Sequence, residues 1–235
     1  MSTLVFDIET IGDNFDGYDS LTKEVLLHGI DRETLSQEEY ELRSAEVKEK
    51  LGLSALTGQI VAISVLQHET NKGAVYYQAP GQPAVETEED GILYRPMGEK
   101  EILEKFWHCA ARCDEFVTFN GRGFDVPFIM TRSAVHGIRP CKNLLSNRYL
   151  SLQRECRHVD LMDQLTYYGA IWKGVKLHLC CNAFGIPTPK SEGVDGGQVQ
   201  KMFSQGRFMD IARYNMADVY ATCELYRKWN DFLRI

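Results

Sequence analysis

Acidic side chains occur in three short clusters that could bind a divalent cation. The first cluster, Asp7-Ile8-Glu9-Thr10, follows a run of apolar residues. The second runs from Asn120 to Asp125 and is rich in glycine, and the third places Tyr214 four residues before Asp218. Carboxylate oxygens are the ligands that Mg²⁺ and Mn²⁺ prefer. Carboxylates held close together need such a counter-charge, since each disfavours ionisation of the other.

The first two clusters lie where predicted strands end. Leu4 to Ile8 is a short apolar run typical of a buried strand. Side chains two apart on a strand face the same side, which places Asp7 and Glu9 together. Phe116 to Phe119 predicts another strand, after which a glycine-rich turn leads to Asp125 at the start of a helix. Two separate strand ends are therefore expected to present carboxylates.

The third cluster lies on the last predicted helix. Apolar residues recur at helical spacing from about Phe208 to Phe232. Tyr214 and Asp218 are four residues apart, so they are expected on one helix face, one turn from each other. A tyrosine at such a position also fits a core residue whose hydroxyl reaches the surface.

Between these clusters the sequence alternates between strand and helix patterns. An acidic segment, residues 13–57, contains predicted helices at 20–29 and 34–50, the latter with Ser36 and Glu39 at the spacing of a capping box. Further strands are predicted at 60–66, 74–78 and 158–161, further helices from 99 and at 125–136, and loops at 79–98 and 185–197. Three strands followed by alternating strands and helices predict an α/β domain with a mixed sheet.

The composition fits a chain with a packed interior and no membrane span. Of its 235 residues, 44% are apolar and 25% are charged, which excludes a disordered or low-complexity chain. The longest apolar run, Ile60 to Leu66, is far shorter than the roughly 18 residues that a spanning helix needs. The cysteine count is seven, which favours reduced thiols, and no secretory signal is recognised. A cytoplasmic protein is therefore expected.

The charge of the chain is uneven. The net charge is −7, whereas residues 121–160 carry seven basic and three acidic side chains. A basic middle in an acidic chain is compatible with a local phosphate-binding face. Charge alone favours the simpler interpretation of an ordinary solvated surface.

Together, the three clusters resemble the motifs of the DEDD 3′–5′ exonuclease superfamily, in its tyrosine-containing subgroup. The motifs are VFDIET at 5–10, FNGRGFD at 119–125 and YNMAD at 214–218. The chain is similar to stand-alone predicted exonucleases that resemble the proofreading domain of family B DNA polymerases. The resemblance implies a single domain, residues 1–235, with a ribonuclease H-like α/β fold. Its mixed five- to six-stranded sheet would have three antiparallel first strands, flanking helices, and residues 13–57 as a helical insertion.

The resemblance also implies roles for the motif residues. The metal-binding carboxylates would be Asp7, Glu9, Asp125 and Asp218. Two ions, Mg²⁺ or Mn²⁺, would be bound, with Asp7 as the bridging ligand. Tyr214 would orient the attacking water. Asp160 lies outside the three motifs and is interpreted as a supporting structural residue that caps the helix after it.

The expected substrate is a nucleic acid with a free 3′ end, single-stranded and DNA rather than RNA, degraded to nucleoside monophosphates. No membrane partner is expected. Candidate substrate contacts are Thr10, Asn120, Arg122, Phe124 and Lys176. Phe124 and Phe119 could stack on bases, although both also fit the core. Lys173, His178 and Lys190 are further candidates for phosphate contacts, from their charge and position.

Other interpretations of the same residues remain open. FDIET is faintly similar to the D-x-D-x-T motif of phosphatases with an aspartyl nucleophile, which would leave Tyr214 and Asp218 unexplained. A glycosidase needs only two carboxylates. Cys156-x-His158 and His178-x-Cys180 contain zinc-ligand types at an unusual spacing. The main non-enzyme alternative is a catalytically silent module that binds nucleic acid or a protein partner through residues 13–57.

Overall fold

A seven-stranded mixed sheet forms the centre of the fold in a computed structural model that describes residues 2–31, 34–171, 175–187 and 196–234. The strands are β1 Thr3–Gly12, β2 Gly58–Gln67, β3 Lys72–Tyr77, β4 Thr87–Glu89, β5 Ile92–Pro96, β6 Glu115–Thr118 and β7 Arg157–Asp160. Their spatial order is β4-β5-β3-β2-β1-β6-β7. β2 is antiparallel to both β1 and β3, whereas β6 is parallel to β1 and β7 is parallel to β6. The predicted mixed sheet with three antiparallel first strands is confirmed.

Helices cover both faces of the sheet. The described α-helices are α1 Ser20–Leu26, α2 Gln37–Lys50, α3 Glu99–Ala110, α4 Asp125–Val135, α5 Leu161–Leu165, α6 Leu177–Phe184, α7 Gly196–Ser204 and α8 Phe208–Phe232. α1 and α2 lie between β1 and β2, which confirms helices within residues 13–57. The predicted capping box is present, because Ser36 and Glu39 exchange hydrogen bonds at the start of α2. None of the described helices combines the length and apolar character needed to cross a bilayer.

The sheet has more strands than the five or six expected, because residues 79–98 do not form only a loop. β4 and β5 make a short antiparallel hairpin there, and β5 extends the sheet by pairing with β3. Asp90 and Gly91 join the two strands with φ angles of +51° and +79°. A two-residue turn with both φ angles positive matches the twist of a hairpin, and Asp-Gly is a favoured sequence for it. The Asp-Gly pair is the sequence signal for this hairpin. Of the loop predicted at 185–197, residues 188–195 lie outside the described residues.

Alternating side chains of β1 divide the interior into two apolar layers. Val5 packs with α8 on one face of the sheet, whereas Phe6 and Ile8 pack with α3 and α4 on the other. Asp7 and Glu9 alternate with Phe6 and Ile8, so they face the α8 layer. Because β1 is hydrogen-bonded to β2 on one side and β6 on the other, the sheet fixes the direction of both carboxylates.

The chain that follows α2 is anchored beside the first motif. The Thr10 hydroxyl donates a hydrogen bond of 2.7 Å to the carbonyl oxygen of Gly52. A β-carbon at Gly52 would lie 2.9 Å from backbone atoms of Ile11 and Gly12. Only glycine permits so close an approach, and the contact ties the segment after α2 to β1 immediately after Glu9.

Glu99, the first residue of α3, joins strand β2 to helix α4 on the face of the sheet opposite α8. Its carboxylate accepts hydrogen bonds from Arg132 at 2.7 and 2.8 Å, from His136 at 2.7 Å and from the Ile60 amide at 2.8 Å. Burial raises the pKa of Glu99, but the hydrogen bonds from Arg132, His136 and Ile60 outweigh burial and leave this pKa below its usual value. The carboxylate is therefore charged in the folded state.

Glu99→Gln is expected to destabilise the fold by about 3 kcal/mol at neutral pH, because it leaves the partly buried Arg132 without its charge partner. The folded state lowers the pKa of Glu99, so its contribution is fully present above the unfolded-state pKa. That contribution is lost as the pH falls through the folded-state pKa. Urea unfolding of wild type and variant between neutral pH and roughly pH 3 tests this, since their free energies of unfolding should converge on acidification. Glu104→Gln, an exposed acid of the same helix, is the control, and an equal loss in both variants would contradict the prediction.

Candidate active site

Three carboxylates meet between β1 and α8. Ligand oxygens of Asp7, Glu9 and Asp218 all lie within 4.8 Å of one another, close enough to share a metal ion. Asp7 is partly exposed, whereas Glu9 and Asp218 are 9% and 8% exposed. Across the described ranges this is the one such group of three or more His, Cys, Asp or Glu side chains. The structure therefore brings the first and third sequence clusters together.

The fourth predicted carboxylate reaches the same place from α4. Asp125 accepts a hydrogen bond of 3.1 Å from the Ile8 amide, and its side chain is in hydrogen-bonding contact with Asp7. Burial raises the pKa of Asp125 to about 7, although hydrogen bonds from the backbone act in the opposite direction. Two carboxyl groups in contact cannot both ionise without a counter-charge. A cation beside them would provide that charge.

A tight turn after β6 carries the second cluster to this position. β6 ends at Thr118, and the chain then turns through Asn120, whose φ is +64°. A β-carbon at Gly121 would lie 2.3 Å from the Thr118 hydroxyl oxygen. The turn therefore requires glycine at this position, and it places the amino-terminal end of α4 beside β1.

Asp160, at the end of β7, holds this turn in place. Its carboxylate accepts hydrogen bonds from the amides of Asn120 at 2.8 Å and Arg122 at 2.9 Å. It also accepts one from the Met162 amide at 3.0 Å, at the start of α5. Asp160 is only 2% exposed, and burial raises its pKa despite these hydrogen bonds. These contacts agree with a structural residue that caps α5, and they add a direct support for the second motif.

The third motif places two more polar side chains against the acids. Burial, followed by the negative charges of Asp218 and Glu9, raises the pKa of Tyr214. Its hydroxyl is therefore protonated, and it is in hydrogen-bonding contact with Asp218. Asn215 is fully buried, and its side-chain amide donates a hydrogen bond of 2.7 Å to Asp7. Asn215 is absent from the sequence-based predictions, although its spacing of three from Asp218 places it on the same helix face.

Two predicted substrate contacts are engaged within the protein. Thr10 is bonded to Gly52, as described above. The Arg122 guanidinium donates hydrogen bonds to the carbonyl oxygens of Leu144 at 3.2 Å and Leu145 at 3.4 Å. Burial lowers the pKa of Arg122. In this arrangement both side chains support the backbone around the acids.

The aromatic candidates are partly buried. Phe119 packs against the α8 layer, and Phe124 packs against Phe128 with ring centroids 5.5 Å apart. Phe124 also lines a groove of about 290 Å³ together with Leu56, from the segment after α2. Phe124 can therefore contribute both to the core and to the wall of a groove beside Asp125.

The basic candidates lie at the surface or outside the described residues. Lys176 is exposed immediately before α6, and His178 is partly buried in its first turn. Lys173 and Lys190 fall outside the described residues.

The cysteine–histidine pair near β7 has the contacts of core residues. His158 donates to the Leu144 carbonyl oxygen at 3.0 Å and accepts from the Thr118 hydroxyl at 2.8 Å. Burial lowers the pKa of His158 to about 4, so the ring is neutral. The Cys156 thiol donates to the Asn143 carbonyl oxygen at 3.5 Å. Within the part of the chain that the structure describes, neither belongs to a group of three metal-binding side chains.

Residues 53–233 match the family of predicted 3′-5′ exonucleases related to the exonuclease domain of PolB. The chain belongs to this family. Asp125, Tyr214 and Asp218 lie within the matched residues of this PolB-related exonuclease family, whereas Asp7 and Glu9 precede them. The family match thus covers the third motif and Asp125 of the second motif. The structure places the carboxylates of the first motif beside them.

The fold of this PolB-related family member is also found in a solved polymerase structure. A family B DNA polymerase from the hyperthermophilic archaeon Pyrobaculum calidifontis aligns with 99% of the chain at a TM-score of 0.60 and 19% sequence identity. The chain spans 25% of that polymerase. This likeness confirms the ribonuclease H-like α/β fold. No curated protein matches the chain.

Asp160→Ala is expected to lower the free energy of unfolding by about 3 kcal/mol, because it leaves three amides without their acceptor at a buried site. Asp160→Asn keeps one acceptor oxygen and should cause a smaller loss. Urea unfolding measures both. Asp114→Ala, an exposed acid next to β6, serves as the control. A loss for Asp160→Ala no larger than for this control would show that Asp160 does not hold the turn.

Proposed function

We propose that this member of the PolB-related family is a 3′–5′ exonuclease of the tyrosine-containing DEDD subgroup. It hydrolyses phosphodiester bonds from the 3′ end of single-stranded nucleic acid, with DNA favoured, and releases nucleoside monophosphates. The observation that carries the proposal is the convergence of Asp7, Glu9 and Asp218 within 4.8 Å, with Asp125 in contact with Asp7. The family description supports an exonuclease activity.

The donor set fits two divalent cations. All four side chains offer only oxygen ligands, which suit Mg²⁺ or Mn²⁺. Asp7 contacts Asp125 and also lies in the group with Glu9 and Asp218, so it would help to hold both ions. When bound, two such ions lower the pKa of a water molecule and stabilise the leaving 3′ oxygen.

The side chains of the protein orient the reacting groups. Tyr214 stays protonated because burial and the neighbouring carboxylates raise its pKa, so its hydroxyl can donate to the attacking water and hold it in line with the scissile bond. Asn215 holds the Asp7 carboxylate in one orientation by its 2.7 Å hydrogen bond. Asp125 lies in the first turn of α4, where the positive end of the helix dipole partly offsets the rise that burial causes in its pKa.

The first test is digestion of 5′-labelled single-stranded DNA and RNA in Mg²⁺ and in Mn²⁺. A descending ladder of labelled products is expected, faster with DNA, and absent when a chelator is added. Asp7→Ala and Asp218→Ala should each reduce the rate by about 1,000-fold, since they remove several kcal/mol of charge stabilisation. Intact substrates in the presence of folded, metal-bound protein would overturn the proposal and favour a catalytically silent binding module.

Tyr214→Phe separates water orientation from metal binding in the same assay. It keeps all four carboxylates and the aromatic ring, so the rate should fall by about 10- to 100-fold while the metal dependence is retained. Tyr220→Phe, at an exposed position of the same helix, is the matched control. Equal rates for Tyr214→Phe and the control would remove Tyr214 from the mechanism.

A thermal shift in Mn²⁺ tests metal binding without a substrate. Because a cation binds only the folded site, a concentration 100-fold above the dissociation constant should stabilise the wild type by about 2.7 kcal/mol. Asp7→Ala should lose this gain, whereas the exposed-site variant Asp114→Ala should keep it. A gain that persists in Asp7→Ala would place the bound metal elsewhere.

A further inference from the structure

A groove of about 420 Å³ lies at the β7 edge of the sheet, away from the acids. Its lining comes from residues 150–151, from the start of β7, from α5 and the segment after it, and from the end of α8 and the residues that follow it. The arginine and aromatic side chains of this lining are Arg157, Tyr167, Tyr168, Trp229 and Arg234. None of them has a part in the proposed hydrolysis, so this combination of arginine and aromatic side chains needs its own explanation.

Two consecutive tyrosines give the groove an aromatic surface. Tyr167 and Tyr168 have φ angles of +50° and +58°, a conformation that bulky residues adopt only where their surroundings fix it. Tyr168 is fixed by hydrogen bonds that its hydroxyl accepts from the Leu150 amide at 3.3 Å and from the Gln164 side chain at 3.0 Å. Its ring also packs against Tyr149, with centroids 4.7 Å apart. Tyr167 is left 62% exposed.

Two arginines give the same groove a positive charge. Arg234 lies 2.9 Å from the buried Glu115 carboxylate and over the Trp229 ring, 5.3 Å from its centroid. Arg157 reaches Glu115 only at 3.9 Å, and its side chain is 47% exposed. Among the described residues both guanidinium groups pair with the one carboxylate of Glu115, and the described side chains that line the groove include two arginines and no acid. Arg157 belongs to the basic stretch 121–160 that the sequence shows on an otherwise acidic chain.

The groove and the acids lie on the same face of the sheet. Arg157 is two residues from Val159, which packs in the same apolar layer as Val5, beside Asp7. Along α8, Trp229 lies about three turns beyond Asp218, roughly 16 Å along the helix axis. A stacked strand advances 3.4 Å per nucleotide, so this separation corresponds to about five nucleotides.

We propose that the groove binds the single-stranded substrate a few nucleotides upstream of its 3′ end. Tyr167 stacks on a base and Arg157 contacts a phosphate. Aromatic faces bind bases without regard to sequence, and guanidinium groups suit phosphate oxygens. An exposed ring beside a half-exposed arginine matches the alternation of base and phosphate along a strand. The role in hydrolysis rests on the proposed function, whereas binding in the groove does not require the acids.

Binding is measured first, by fluorescence anisotropy with labelled 16-residue and 3-residue oligothymidylates in the presence of a chelator. Tyr167→Asn and Arg157→Gln are the variants, since asparagine tolerates positive φ and glutamine keeps most of the side-chain length. Each should weaken binding of the 16-mer about tenfold. Arg157→Gln should also reduce the slope of log affinity against log salt by about 0.7. Unchanged affinity for the 16-mer in both variants would overturn the proposal. That result is expected if the groove binds a protein instead of the nucleic acid.

Hydrolysis of the same two oligonucleotides in Mn²⁺ separates the groove from the catalytic site. The trinucleotide is too short to reach from the acids to the groove, so the ratio of kcat/KM for the 16-mer to that for the trinucleotide should fall about tenfold in each variant. An unchanged ratio with normal wild-type activity would overturn the groove alone. No hydrolysis of either oligonucleotide by the wild type would overturn the proposed function, while the anisotropy would still test the groove.

Matched controls come from other surfaces of the molecule. Tyr220→Asn changes an exposed tyrosine of α8, and Arg112→Gln changes an exposed arginine after α3 on the opposite face of the sheet. Both controls should bind the 16-mer as the wild type does, and urea unfolding confirms that all four variants are folded. Equal losses in the controls and in the groove variants would mean that binding is spread over the surface, which contradicts a defined groove.

Discussion

Repulsion between carboxylates is the constraint on which the rest of the structure depends. Asp7, Glu9 and Asp218 are held within 4.8 Å, and Asp125 contacts Asp7. Such groups separate unless the backbone prevents it. The apolar layers on both sides of β1 supply the opposing free energy, because burial of apolar surface contributes roughly 25 cal/mol per Å². The charged centre is therefore a locally unfavourable arrangement that the surrounding interior maintains.

Two close contacts of glycine backbone lie where this arrangement must be rigid. Gly52 lies against β1 directly after the first motif, and Gly121 lies against Thr118 directly before the second. Between them, Asp160 bonds the turn that contains Asn120. A side chain at either glycine would displace one of the elements that carry an acid. Glycines and backbone hydrogen bonds thus hold the elements that carry the acids at fixed positions. Longer side chains at these contacts would let the elements shift relative to one another.

The sequence predicts the parts of this molecule that local patterns encode. The apolar run of β1, the helical spacing of α8 and the capping box at Ser36 are all visible in the residues themselves, and the structure confirms them. The hairpin at Asp90 was predictable from its turn sequence but is hidden among other loop signals. The role of Asn215 could not be predicted from its spacing on α8 alone, because its hydrogen-bond partner Asp7 lies on a distant strand. The left-handed backbone of Tyr168 is held by contacts with Leu150 and Tyr149, so no pattern of neighbouring residues predicts it.

The hydrogen bond between Asn215 and Asp7 joins residues that are 208 positions apart. Contacts between such distant residues form late, because closing a long loop costs chain entropy before any contact rewards it. A growing polypeptide on the ribosome carries β1 long before it carries α8. Under the proposed function, the hydrolytic centre therefore comes into existence only after α8 has been synthesised. The unfinished chain consequently has no complete centre with which to hydrolyse a phosphodiester bond during translation.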